Sequence, residues 1–160
     1  MKYQLDFNTA YNQFYIVDGT KNGDTASANF WTNDAFQDRL AIEEWVLGVG
    51  IESYGHVKAE LQLLNSPTKE IDFSKYDHIV EGGIKISSGL LQIIDCPNSE
   101  IALSVLIEPG NYRVRVYSMA LDGVDTDEDE GDDHYLIEIW PDQNMARTVL
   151  KRYKHKSAEN

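Results

Sequence analysis

Apolar and polar residues alternate along much of this chain with a period of two, the spacing of a half-buried strand rather than of a helix. Val57, Ala59, Leu61 and Leu63 alternate with Lys58, Glu60 and Gln62. Ile101, Leu103, Val105 and Ile107 repeat the pattern and stop at Pro109-Gly110-Asn111. Proline followed by glycine is a turn pair, because a fixed φ is followed by a permissive one. Tyr112, Val114 and Val116 alternate with Arg113, Arg115 and Tyr117, and Tyr135, Ile137 and Ile139 alternate with Leu136, Glu138 and Trp140 up to Pro141. Less regular runs predict further strands: Ala10 to Val17 ending at Asp18-Gly19, Val46 to Tyr54 with Gly48 and Gly50 inside, and Asp77 to Val80 before Gly82-Gly83. Ile84 to Ile86 and Leu90 to Ile94 read as a hairpin around Ser88-Gly89.

One helix is predicted, from Asp34 to about Leu40, with Thr32 or Asn33 as its cap and acids in its first turn. Lys21 to Ala28 and Asn65 to Lys75 read as loops. Short strands at roughly ten-residue intervals, without helical crossovers, predict an all-β fold, mainly an antiparallel β-sandwich. Residues 1–142 form its single domain, and 143–160 hold a last strand (Thr148 to Tyr153) and a basic tail with Arg147, Lys151, Arg152, Lys154 and Lys156.

Charge alters this picture in one place. The 160 residues carry 27 Asp and Glu against 14 Lys and Arg, a net charge of −13. Eight of those acids lie between Asp122 and Asp133, and without them 19 acids face 14 bases. The acidity is therefore one segment, set between two well-defined strands, on a mildly acidic body. A hydrophobic content of 42% is that of a folded chain. The negative field argues against direct contact with nucleic acid or anionic membranes. The longest apolar runs are too short to cross a bilayer, and Met1 to Asp6 lacks the apolar core of a secretory signal. These features predict a cytoplasmic protein.

Motifs for catalysis are weak. His56, His78, His134 and His155 fall in no HExxH, HxH or Cys/His pattern, and no phosphate loop or nucleophile elbow occurs. The single cysteine, Cys96, excludes an internal disulfide and reads as a small, partly buried residue. Trp31, Trp45 and Trp140 read as packing residues, while Arg113 and Arg115, on the polar face, are expected to meet Glu138 across the hairpin, a pairing worth under about 1 kcal/mol if exposed. No cofactor, metal or enzymatic activity is predicted.

Three readings of the acidic segment stay open. It serves as a solvated connection, since charge runs usually do. It serves as a calcium site: Asp125, Asp127 and Asp129 have the spacing of the first EF-hand ligands, but Glu130 and Leu136 replace the required Gly and Glu, so a true EF-hand is rejected. With a tryptophan as sugar platform, that reading extends to a calcium- or carbohydrate-binding module. Or it occupies the basic cleft of a partner protein, steering association through its carboxylates. A surface of mixed sign also leaves homo-oligomerisation open.

The second half of the chain resembles a known family. Glu108-Pro-Gly-Asn-Tyr-Arg-Val-Arg-Val-Tyr117, then the acidic segment, then Asp133-His-Tyr-Leu-Ile-Glu-Ile139, resembles the C-terminal hairpin of the competence protein J family. Tyr11 to Val17 is similar to that family's first strand, Phe30-Trp31-Thr32-Asn33-Asp34-Ala35 to its Trp-Thr segment, and Val57 to Leu63 to its central strand. The family is described as a small inhibitor of the nuclease of DNA uptake, and related chains resemble bacterial immunity proteins. The resemblance implies a non-catalytic inhibitor whose partner is a basic protein, a nuclease or toxin. Asp125, Asp127, Glu128, Asp129, Glu130, Asp132 and Asp133 would supply the charge, and Tyr117 and Tyr135 the aromatic anchors.

Overall fold

The computed structural model describes residues 1–124 and 130–154. It is mostly β, 49% strand and 6% helix, arranged as two sheets with one short α-helix. Sheet A is a curled half-barrel and sheet B is antiparallel. Sheet A runs in the order β1 (Lys2–Asn8), β5 (His56–Leu63), β10 (His134–Pro141), β9 (Gly110–Met119), β6 (His78–Ile86) and β11 (Thr148–Lys151). Its one parallel pairing joins β5 to β10, with Tyr135 opposite Ala59. Sheet B runs β3 (Leu40–Glu43), β4 (Val46–Gly50), β2 (Gln13–Asp18), β7 (Leu90–Ile94) and β8 (Ile101–Leu106). Among the described residues no helix is long and apolar enough to cross a membrane.

The two-residue alternation decides which side chains fill the core. Val57, Ala59 and Leu61 of β5, Tyr135, Ile137 and Ile139 of β10, and Val114 and Val116 of β9 all point inward. They meet Phe14, Ile16, Leu47, Val49, Leu91 and Ile93 from sheet B. A second, smaller cluster on the far side of sheet B packs Tyr15, Ala41 and Val46 against Phe30, Ala35 and Cys96. Helix α1 (Asn33–Asp38) sits there, opened by the Thr32 hydroxyl accepting from Ala35 N at 3.1 Å. It closes at Arg39, whose φ of 63° is left-handed and ends the helical hydrogen bonding.

Strands β1 and β3 were not among the sequence expectations, and β6 is one long strand where two short ones were expected. Gly82 and Gly83 do not interrupt it. A Cβ on Gly82 would lie 2.7 Å from Ile42 Cδ1, and one on Gly83 2.5 Å from Met145 Cα. Glycine there lets sheet B approach one face of β6 and the chain after β10 approach the other.

That second approach changes the fate of the outer face of sheet A. Arg113 and Arg115, expected on the polar face of the hairpin, are buried at 3% and 6% exposure. Arg113 Nε donates to Glu81 Oε1 at 2.8 Å and Arg115 Nε to Glu81 Oε2 at 2.6 Å, so Glu81 bridges both. Arg115 also lies 3.6 Å from Glu138, the expected partner, whereas Arg113 turns its other nitrogens to Asn144 O and Ala146 O. Two acids and two bases form a neutral buried set, roofed by the segments after β5 and after β10. Trp140 is buried there with the Arg115 guanidinium 5.0 Å from its ring.

The basic tail is pinned over its described length. Arg147 Nε donates to Asp38 Oδ2 at 2.6 Å and Arg152 Nη2 to Asp38 Oδ1 at 2.5 Å. The expected last strand is shorter, ending at Lys151, and His155 and Lys156 lie outside the described residues.

Candidate partner-binding surface

The acidic segment joins β9 to β10, and its two ends are held differently. Asp125, Asp127, Glu128 and Asp129 lie outside the described residues. Asp122, Glu130 and Asp132 are exposed. At the first end, Tyr153 OH donates to Asp122 Oδ1 at 2.7 Å. At the second, Lys58 Nζ on β5 donates to Gly131 O at 2.7 Å and lies 3.5 Å from Glu130 Oε1. Alternation along β5 puts Lys58 on the outer face, directly below the returning chain.

Asp133 does something else. It is 1% exposed, and its Oδ2 accepts from Ser53 N at 3.0 Å and from Tyr135 OH at 2.6 Å. Tyr135 OH in turn accepts from Glu52 N at 2.8 Å. Burial holds the Tyr135 phenol well above its ordinary pKa; Arg39 opposes this and Asp133 adds to it. The phenol thus stays a protonated donor between the loop at residues 51–55 and the root of the acidic segment.

Tyr117 is also interior, 2% exposed, on the roofed face of sheet A. Its hydroxyl donates to Glu138 Oε1 and accepts from Arg115 Nη1 at 2.9 Å, and its ring packs on Tyr76 with centroids 4.5 Å apart. Burial raises its pKa, and the bond to Glu138 raises it further. Of the residues expected at a contact surface, Glu130 and Asp132 are therefore presented. Asp133, Tyr135 and Tyr117 face the interior in this conformation and hold the surface in place. The reason is strand phase: Tyr135 shares its face with Ile137 and Ile139, and Tyr117 shares the face that the roof covers. Sequence reasoning missed Ser53 and Lys58, which fasten the segment; no local signal marks a contact made across 80 residues.

Beside this root, on the outer face of β1, β5 and β10, runs a groove of about 560 Å³ lined by Asp6, Lys58, Glu60, Met119, His134 and Leu136. His56 Nε2 lies 2.6 Å from Asp6 Oδ1 at its edge. The buried His78 is occupied at both ring nitrogens: Nε2 meets Asp38 O at 2.8 Å and Nδ1 accepts from Tyr153 N at 3.0 Å. Burial lowers its pKa to about 4, so it is a neutral structural link. Among the described residues, no group of three or more His, Cys, Asp and Glu is placed to hold a metal ion. The carboxylates considered for calcium, Asp125, Asp127 and Asp129, all lie outside those residues.

Strand order, curled sheet and acidic connection can be set against known proteins. No protein-family model matches the sequence, and no curated protein matches it. Solved structures do match. The crystal structure of ComJ, inhibitor of the DNA degrading activity of NucA, from Bacillus subtilis, aligns with a TM-score of 0.65 at 16% identity, over 89% of this chain and 99% of that one. The chain shares the ComJ fold. A protein described as crocagin biosynthetic gene J aligns with a TM-score of 0.54 at 21% identity, over 89% of this chain and 99% of its own. The family resemblance carried by Glu108 to Tyr117 and Asp133 to Ile139 is thus matched in three dimensions at the level of fold.

Proposed function

We propose that this chain is a non-catalytic binding protein that inhibits a nuclease, acting in the cytoplasm to protect the cell that makes it. The observation that carries this reading is the fold shared with ComJ over 99% of that inhibitor's length. The charge distribution supports it. A nuclease holds its phosphodiester substrate in a basic groove, and the carboxylates of the acidic segment, the buried Asp133 apart, offer that groove a competing polyanion. Ordering a free segment costs about 1–2 kcal/mol per residue. The Lys58 and Ser53 contacts already order residues 131 and 133, which lowers that cost at one end.

The test is inhibition of DNA degradation by the purified NucA-type nuclease of the same organism, at low and high salt. Inhibition at low salt, with association slowed by salt and by neutralising Asp125, Asp127, Glu128, Asp129, Glu130 and Asp132 to Asn and Gln, is the expected result. Undiminished association after neutralisation would remove the acidic segment from the contact. Absence of inhibition by the native chain would overturn the reading.

A further inference from the structure

Among the described residues, strands β1 and β11 form the edges of sheet A, and β3 and β8 those of sheet B. Three of these edges carry charge. Strand β1 holds Lys2 and Asp6, β3 ends on Glu43, and β11 ends on Lys151, where its register slips. Charged residues and irregularities on an edge keep other strands from adding to it. Strand β8 differs. Its residues Ile101–Leu106 are uncharged, and Leu106 is 81% exposed. The core does not account for that position, since Leu103 and the following Ile107 make the inward contacts.

The open side of β8 also has unspent hydrogen-bonding groups. Strand β8 pairs with β7, and among the described residues no strand is bonded to its other side. Ile107 N donates to Gly89 O at 2.8 Å, so Ile107 faces β7. Successive residues of an antiparallel strand turn their backbone groups alternately to its two sides. Leu103 and Val105 therefore face β7 too, opposite Ile93 and Leu91. Ser104 and Leu106 turn N–H and C=O to the open edge. The register slips beyond this stretch, between Ile93 and Ile94, so residues 103–107 stay regular.

This stretch is complementary to itself. Laid antiparallel to a second copy about a two-fold axis at Val105, Ser104 of each copy exchanges both its backbone bonds with Leu106 of the other. On the inward face Leu103 meets Ile107 and Val105 meets Val105, so every pair there is apolar. On the outer face the exposed Leu106 lies beside the small Ser104. Glu108, the first charged residue after the strand, falls opposite Ala102 rather than opposite a carboxylate. The joined sheet then ends on β3, with its Glu43, at both extremes, so the pairing closes at two copies.

We propose that β8 is the edge through which two copies of this chain pair, joining their B sheets. Charge favours a second copy here over a basic target. Each copy carries −13, and the acidic connection follows the Met119 end of β9, whereas β8 leads into its Gly110 end. A basic partner is drawn to the acidic connection, and two acidic copies meet at least cost on an uncharged edge far from it. The antiparallel arrangement points the two acidic connections in opposite directions. Both stay open, so the pairing stands independently of the inhibitor reading.

Sedimentation velocity of the native chain, from about 10 μM to about 1 mM, tests this. One short edge buries little area, so association is weak, with a dissociation constant on the order of 0.1 mM. Salt screens the like charges of the two copies and is expected to strengthen the dimer. Ser104→Pro removes an N–H that β7 does not use, and Leu106→Glu sets charge on the edge; melting temperature verifies that each is folded. Each is expected to raise the concentration needed for dimerisation by about tenfold or more. A chain still monomeric at about 1 mM overturns the proposal, as does a dimer that salt weakens or that neither variant affects. A monomer whose Ser104 and Leu106 amides are protected from hydrogen exchange only when the NucA-type nuclease is added assigns the edge to the target, and overturns it as well.

Discussion

Asp133 Oδ2 accepts a hydrogen bond from the backbone N–H of Ser53 across 3.0 Å, tying the end of the acidic segment to a loop 80 residues away. The same oxygen accepts from Tyr135 OH at 2.6 Å. Asp133 thus belongs to the charge run by sequence and to the interior by structure. Replacing it with Ala strands two buried donors, and Asp133→Ala is expected to destabilise the fold by roughly 2–4 kcal/mol in urea unfolding. Asp133→Asn keeps an acceptor and is expected to cost less. An equal loss in both variants would show that negative charge, rather than hydrogen bonding, is what the site requires.

Glu81 bridges two guanidinium groups under the roof of sheet A. Glu81→Gln leaves buried positive charge with only Glu138 opposing it, and a loss of about 3–5 kcal/mol is expected. The exposed pair Lys85 and Glu44, 3.7 Å apart, offers the contrast. Lys85→Ala is expected to change stability by less than about 1 kcal/mol. Similar losses in the two variants would mean that the roof admits enough water to screen Glu81.

His78 makes stability depend on pH. Its pKa is 6.5 when unperturbed and about 4 in the folded chain, through burial above all. The unfolded chain therefore binds the proton first, and stability falls as pH drops from about 6.5 to about 4, by up to roughly 3 kcal/mol. Asp18 acts in a lower window. Burial raises its pKa, but donors from Ser88 and Thr20 outweigh burial and hold the carboxyl well below its usual value of 3.8. Its stabilisation is present above that value and is lost as pH falls further. Urea midpoints across this range, for the native chain and His78→Asn, separate the two: the variant loses the upper slope and keeps the lower one.

Edge strand β8 carries Leu106 at 81% exposure and Ile101 at 58%, with no charged residue between them. Uncharged apolar edges invite pairing with other strands. Leu106→Lys is expected to leave stability within about 0.5 kcal/mol and to reduce self-association in light scattering at high concentration. A large stability loss would mean that Leu106 is covered in solution.

The alternations at β5, β9 and β10, the Thr32 cap of α1 and the turn after Asp18 were legible because each depends on residues within a few positions. Strand β1 was less so: Tyr3, Leu5 and Phe7 do alternate with Lys2, Gln4 and Asp6, but only Leu5 is buried on this edge strand. Gly82 and Gly83 read as a break, because what approaches them comes from β3 and from Met145.

The sequence by itself determined the β character of the chain, the inward face of its regular strands and the concentration of charge between Asp122 and Asp133. Period two tells which residues share a face, and counting tells where the charge lies. Only the tertiary structure decided what covers each face. It buried Arg113, Arg115 and Tyr117 under a roof, drew Asp133 and Tyr135 inside, and left Tyr11 and Phe36 in solvent. Burial is a property of chain segments far apart in sequence, and no local pattern encodes which of them will meet.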